Sequence, residues 1–144
     1  MSTTLKMSKA VSLAFHSMVY LAEDPENLHS TREISEAICC SEHHLARIMI
    51  QLSRMRLVNS SRGPKGGFVL AEAPEDITLQ RIYEAIEGPI ATDRCFLDRE
   101  NCRYDGCIFE GLQEAIYEKA ENYLKNTTLA KVLEDAKNGA GTEA

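Results

Sequence analysis

Three cysteines, Cys95, Cys102 and Cys107, fall within the thirteen residues CFLDRENCRYDGC. Thiols crowded into one polar loop are the pattern of a metal or iron-sulfur site, since thiolates select zinc, Cu(I) and iron-sulfur iron over magnesium or calcium. A closed tetrahedral site takes four ligands, so three cysteines leave one to be found. The other two, Cys39 and Cys40, are adjacent and lie between two helical patterns, where small apolar residues pack; packing is preferred for them over a redox pair. No phosphate-cradling glycine loop and no Ser-His-Asp or Cys-His pairing accompanies these groups, which argues against an enzyme.

The elements that must position the loop belong to one compact domain: 144 residues, of which 44% are hydrophobic and 26% charged, suffice for a core. No apolar run approaches the roughly 20 residues of a membrane span, and the first residues lack a cleavage-site pattern, so a cytoplasmic protein is expected. In a reducing compartment, clustered cysteines are metal ligands or redox groups more often than structural disulfides. The net charge of −6 is unevenly placed. Residues 1–70 hold eight Lys or Arg against six Asp or Glu, residues 71–144 eight against sixteen, and no acidic residue occurs between His43 and Ala71. Phosphate binding follows the local field, so this basic stretch keeps nucleic acid in play.

Val11, Phe15, Met18 and Ala22 recur at helical spacing and predict a helix from about Lys9 to Ala22. Ser30 and Glu33 form a capping box for a short second helix. After CCS, Ser41 caps a third helix with Leu45, Ile48, Met49 and Leu52 inward. Two helices joined by so tight a turn predict a helix-turn-helix, whose second helix enters the DNA major groove. The period then changes to two short β-prone runs in LVNSSRGPKGGFVLA, a hairpin with Arg62 and Lys65 at its tip. A basic-tipped hairpin in this position is a wing. Candidate DNA contacts are Thr31, Ser41, His43, His44, Arg47 and Arg54 from the helices and Arg62, Gly63, Lys65 and Gly66 from the wing.

Thr78 caps a further helix that Gly88 stops. Beyond the cysteine loop, Ile108, Phe109, Leu112, Ile116, Ala120, Tyr123 and Leu124 form one long apolar stripe, and Thr127 or Thr128 restarts a last helix carrying Leu129, Val132 and Leu133. A stripe this long in so small a chain points to a second subunit, with Phe109, Leu112, Ile116 and Tyr123 at the interface. The expected fold is mainly α with a small β-hairpin wing. Residues 1–88 form the winged helix-turn-helix DNA-binding region, 89–107 the cysteine-containing sensor loop, 108–137 the dimerisation helices and 138–144 a disordered tail.

LVNSSRGPKGGFVLA followed by PEDITLQRIYEAIEGP resembles the iron-sulfur and nitric-oxide regulator family, bacterial winged-helix repressors that include IscR and NsrR. The resemblance runs from KMSKAVSLAFHSMVYLA to the last helices. It implies a homodimer that binds an imperfect DNA palindrome, and an iron-sulfur cluster held by Cys95, Cys102 and Cys107. The gaps between these cysteines, six residues and then four, are less even than in the better known sensors. The position three after the last cysteine, a histidine in some relatives, is Glu110. Other relatives draw the fourth ligand from the first helix of the partner subunit, where this chain offers Ser12 and His16 on one face. Imidazole is the better iron ligand, so His16 leads, with Glu110, Asp105 and Asp98 as alternatives. A 2Fe-2S cluster is favoured weakly over 4Fe-4S. Alternatives are a zinc site, a metal-free regulator controlled by a protein partner, and an electron carrier.

Overall fold

A computed structural model of the chain describes residues 5–90, 102–109 and 111–139. Cys95, Asp98, Glu110 and the tail beyond residue 139 lie outside them. The described chain contains six α-helices, α1 (Lys9–Glu23), α2 (Thr31–Ala37), α3 (Glu42–Arg54), α4 (Leu79–Glu87), α5 (Leu112–Asn126) and α6 (Leu129–Lys137), a short 3-10 turn at Pro74–Asp76, and two strands, β1 (Val58–Ser61) and β2 (Gly67–Leu70).

Each helix start is written locally. Ser8, Ser30, Ser41, Thr78 and Thr128 cap α1, α2, α3, α4 and α6, each side-chain oxygen accepting a backbone N–H three residues on. The Ser30–Glu33 capping box is complete, and each such cap satisfies a donor that the helix cannot, worth about 1 kcal/mol. Gly88 ends α4 at φ +81°. The ends of α2 and α3 are less ordinary. Cys39 N–H donates to Glu36 (3.4 Å) and Cys40 N–H to Ser35 (3.0 Å), while Arg56 N–H donates to Ser53 and Leu57 N–H to Leu52, both at 3.0 Å. These are Schellman motifs, whose left-handed residue is usually glycine. Here Cys39 (φ 55°) and Arg56 (φ 59°) occupy it.

One core joins the helix-turn-helix to the C-terminal helices. Val11, Met18 and Leu21 of α1 meet Ile34 of α2, Leu45, Ile48, Met49 and Leu52 of α3, and Ile82 and Tyr83 of α4. Backbone bonds Leu79 N–H to Thr127 (3.0 Å) and Leu129 N–H to Ile77 (2.8 Å) fasten the start of α6 to the start of α4. The segment before α1 is held the same way. Lys6 N–H donates to the Tyr83 hydroxyl at 2.9 Å and Leu5 N–H to that of Tyr117 at 3.2 Å, and the Ser8 hydroxyl donates to Glu87.

The hairpin pairs Val58 with Leu70 through Ser61 with Gly67. A third extended residue borders it, because His29 N–H donates to Phe68 (2.9 Å) and Phe68 N–H returns the bond to His29 (2.8 Å). The His29 side chain points three ways: Nδ1 lies 3.0 Å from Glu33, Nε2 3.3 Å from Asp24, and the ring meets Tyr20 edge-on. The Asp24 contact is an ion-pair distance without hydrogen-bond geometry.

The apolar stripe of the C-terminal half divides into two faces. Ile108 and Phe109 precede α5, which begins at Leu112, so the helix is shorter than the stripe suggested. Gln113, Tyr117, Ala120 and Leu124, at i, i+4, i+7 and i+11, face the molecule. Leu112, Ile116 and Tyr123 face away and are 55%, 46% and 60% exposed.

Candidate DNA interface and sensor loop

The outward face of α3 carries His43, Arg47 and Arg54, all exposed, with His44 turned partly inward. Ser41 is exposed at the helix N-cap, and Thr31, the first residue of α2, is half-buried. Arg62 and Lys65 are exposed at the wing tip. The wing needs its glycines for different reasons. Gly63 adopts φ +108° in open space, while a Cβ on Gly66 would stand 2.3 Å from the Ser61 carbonyl oxygen. Between them, Gly66 N–H donates to Gly63 at 2.9 Å and closes the tip.

Some basic side chains are already neutralised within the chain. Arg32 is paired with Glu36, Arg81 with Glu72 and Lys131 with Asp135. Among the described residues no carboxylate engages Arg47, Arg54, Arg62 or Lys65. Unneutralised guanidinium and ammonium groups on a groove-sized helix and an adjacent hairpin are what phosphate binding requires.

Of the candidate ligands, Cys102 is half-buried and Cys107 exposed, both as free thiols. His16 is exposed on α1, and its Nδ1 lies 2.7 Å from the Ser12 carbonyl oxygen. A carbonyl only accepts, so Nδ1–H is the donor of that bond, and in the neutral ring Nε2 holds the lone pair, the arrangement usual in metal-binding histidines. Asp105 is exposed beside Cys107. Among the described residues, no three His, Cys, Asp or Glu side chains are placed to share a metal ion. Among these residues, one chain does not bring His16 together with both Cys102 and Cys107.

Cys39 departs from expectation. It is exposed at the left-handed position of the turn, and only Cys40 packs against the core. Burial raises the Cys40 thiol above its ordinary pKa. The sequence did not reveal the role of His29; its only signal was a histidine directly before the capping Ser30.

A helix-turn-helix with a hairpin wing packed behind it defines a winged-helix DNA-binding protein. The chain belongs to the Rrf2 family, described as "Iron-dependent Transcriptional regulator", which it matches over residues 7–135. It is similar to the HTH-type transcriptional regulator NsrR of Geobacillus kaustophilus, 28% identical over 139 residues that cover 91% of each chain. Among solved structures it resembles CymR, the global cysteine regulator of B. subtilis, with a TM-score of 0.76 at 28% identity over 91% of this chain and 98% of that one. It also resembles T. potens IscR, with a TM-score of 0.75 at 28% identity over 97% and 94%. The protein is thus a DNA-binding transcription regulator and not an enzyme. No helix among the described residues is long and apolar enough to cross a membrane.

Proposed function

We propose that this protein is a cytoplasmic, dimeric repressor whose binding to a palindromic operator is controlled by an iron-sulfur cluster. The observation that carries the sensor reading is His16: its Nδ1–H is fixed on Ser12 and its Nε2 is free on an exposed face. Three thiolates and an imidazole fit the donor set that iron-sulfur iron accepts. Cys95, Cys102 and Cys107 would hold the cluster from one chain, and His16 of a second copy would complete it. The similarity to NsrR and IscR supports this assignment. When bound, the cluster supplies a group that iron-sulfur supply, nitric oxide or oxidation removes or alters.

The rest follows from the chain's own residues. The outer face of α5, with Leu112, Ile116 and Tyr123 and with Phe109 just before it, is the dimer contact that gives a palindrome its two half-sites. Arg47, Arg54, Arg62 and Lys65 bind phosphates, with Thr31 at the start of α2, while Ser41, His43 and His44 stand nearest the base edges at the α3 N-terminus. Gly63 and Gly66 let the wing backbone approach the duplex. A ligand on α1 ties the cysteine loop of one subunit to the helix preceding the helix-turn-helix of the other, so cluster loss alters the support of α3.

Purification without oxygen, followed by the visible spectrum and by iron and sulfide content, tests the reading. The expected chromophore disappears in Cys95→Ala, Cys102→Ala and Cys107→Ala, and weakens or shifts in His16→Ala together with DNA affinity. Wild-type spectrum and cluster-dependent DNA binding in His16→Ala would return the fourth ligand to Asp105, Asp98 or Glu110. A colourless wild-type protein with full affinity for its operator would establish the metal-free regulator. Zinc in place of iron and sulfide would identify the zinc form.

A further inference from the structure

We propose that Cys39 and Cys40, in the turn between α2 and α3, form a two-thiolate site for a soft ion of low coordination number, Cu(I) or trivalent arsenic, whose binding lowers DNA affinity. The inference rests on the family's DNA binding and is independent of the cluster assigned to the loop.

Two adjacent thiols terminate α2, and neither is in a disulfide. Cys39 is open to solvent, with one weak sulfur contact to the Glu36 carbonyl at 3.8 Å, and Cys40 is half-buried beside it. Direct oxidation to a disulfide is geometrically disfavoured. Consecutive Cα atoms stand about 3.8 Å apart across a trans peptide, whereas disulfides span about 4.4–6.8 Å. An ion between the sulfurs enlarges the ring by one atom and relieves that mismatch. The absence, among the described residues, of three side chains placed to share an ion disfavours four-coordinate zinc and leaves ions that accept two thiolates.

Binding replaces two S–H bonds by two sulfur–ion bonds. With Cu(I) the two protons pass to solvent; with an organic arsenoxide the oxygen leaves as water carrying both. Convergence of the two sulfurs must release the Cys39 contact to Glu36 and rotate Cys40 off the core. Both residues donate the backbone bonds of the α2 Schellman motif, and the next residue is Ser41, the cap of α3. A strained turn at that point displaces the start of the helix that reads DNA.

The test uses phenylarsine oxide and, separately, chelator-buffered Cu(I). Alkylation footprinting of the wild-type chain should show Cys39 and Cys40 protected together, with protection of each lost when the other is replaced in Cys39→Ala or Cys40→Ala. In the full-length protein, the same reagents should weaken operator binding by about tenfold more than they do in the Cys39→Ala variant, within the usual range of coupled sites. Protection by Cu(I) identifies copper as the ion, and protection by the arsenical alone identifies arsenic. Absence of protection by both reagents, protection of one cysteine regardless of the other, or joint protection with unchanged DNA affinity would overturn the proposal. The comparison with Cys39→Ala takes reactions of the loop cysteines out of the readout.

Discussion

Replacement of Gly67 by alanine probes the joint between the wing and the helix-turn-helix. An added Cβ would stand 2.4 Å from the His29 carbonyl oxygen, 2.5 Å from its carbon and 2.9 Å from Ser30 N. All three are backbone atoms, so no side chain can swing aside, and β2 must retreat by roughly an ångström to restore ordinary contact. The reciprocal bonds between His29 and Phe68, now 2.9 and 2.8 Å, would lengthen to about 3.8 Å, beyond useful hydrogen bonding. Two lost bonds at about 1 kcal/mol each, with partly buried groups left unpaired, give a cost of about 2–4 kcal/mol. For a chain of this size that is a fall in Tm of roughly 5–15 °C. The measurement is thermal unfolding at fixed protein concentration, since the Tm of the proposed dimer would depend on it. Gly106→Ala, with open space around its Cβ, is the control and should stay within about 0.5 kcal/mol of wild type. Operator affinity should fall with the Gly67 change because the wing tip loses its anchor. A Gly67→Ala protein that melts within about 1 °C of wild type would refute the claim that the His29–Phe68 pairing holds the wing.

Arg56→Gly relieves a left-handed non-glycine residue in open solvent and should stabilise the fold by about 1 kcal/mol, read as a small rise in Tm; no rise would mean that Arg56 makes a compensating contact. Ile116→Asp places a charge in the proposed dimer contact and should give monomer with weakened operator binding, and sedimentation of the wild type as a monomer at micromolar concentration would defeat that expectation. Arg62→Ala and Lys65→Ala should each lower the slope of log affinity against log salt by about 0.9, and an unchanged slope in both would take the wing off the phosphates. The hydrogen bond from His29 holds the Glu33 carboxyl below its ordinary range, and that from Arg81 does the same for Glu72. Their contribution is therefore full above the unfolded-state pKa of about 4.3 and is lost as pH falls through the lower folded values, so Glu33→Gln with Glu72→Gln should flatten the acid-side fall in Tm. Both carboxylates are exposed, so the change is small; superimposable pH profiles would contradict it.

Helix starts, the turn between α2 and α3, and the basic hairpin were all legible in the sequence, because each is set by residues three or four positions apart. Ser30 with Glu33, Ser41, Thr78 and Gly88 act within one turn of chain, and Leu45, Ile48, Met49 and Leu52 define a buried face by period alone. The lack of acidic residues between His43 and Ala71 likewise marked the basic surface. Other features depended on what lies across the fold. One apolar stripe from Ile108 to Leu124 could not reveal that Leu124 is buried within its own chain while Ile116 and Tyr123 are left uncovered, since that division depends on where α4 and the N-terminal segment lie. Nothing near Cys39 in sequence marks it as left-handed and exposed, because that position is usually glycine's and a cysteine is ordinarily a packing residue. Gly67 reads as an ordinary wing glycine until tertiary packing brings its Cα against the His29 backbone, thirty-eight residues away. Local chemistry thus determined the elements and the sign of the charge they carry, whereas burial and close backbone approach, which require two distant segments at once, were decided only by the tertiary structure.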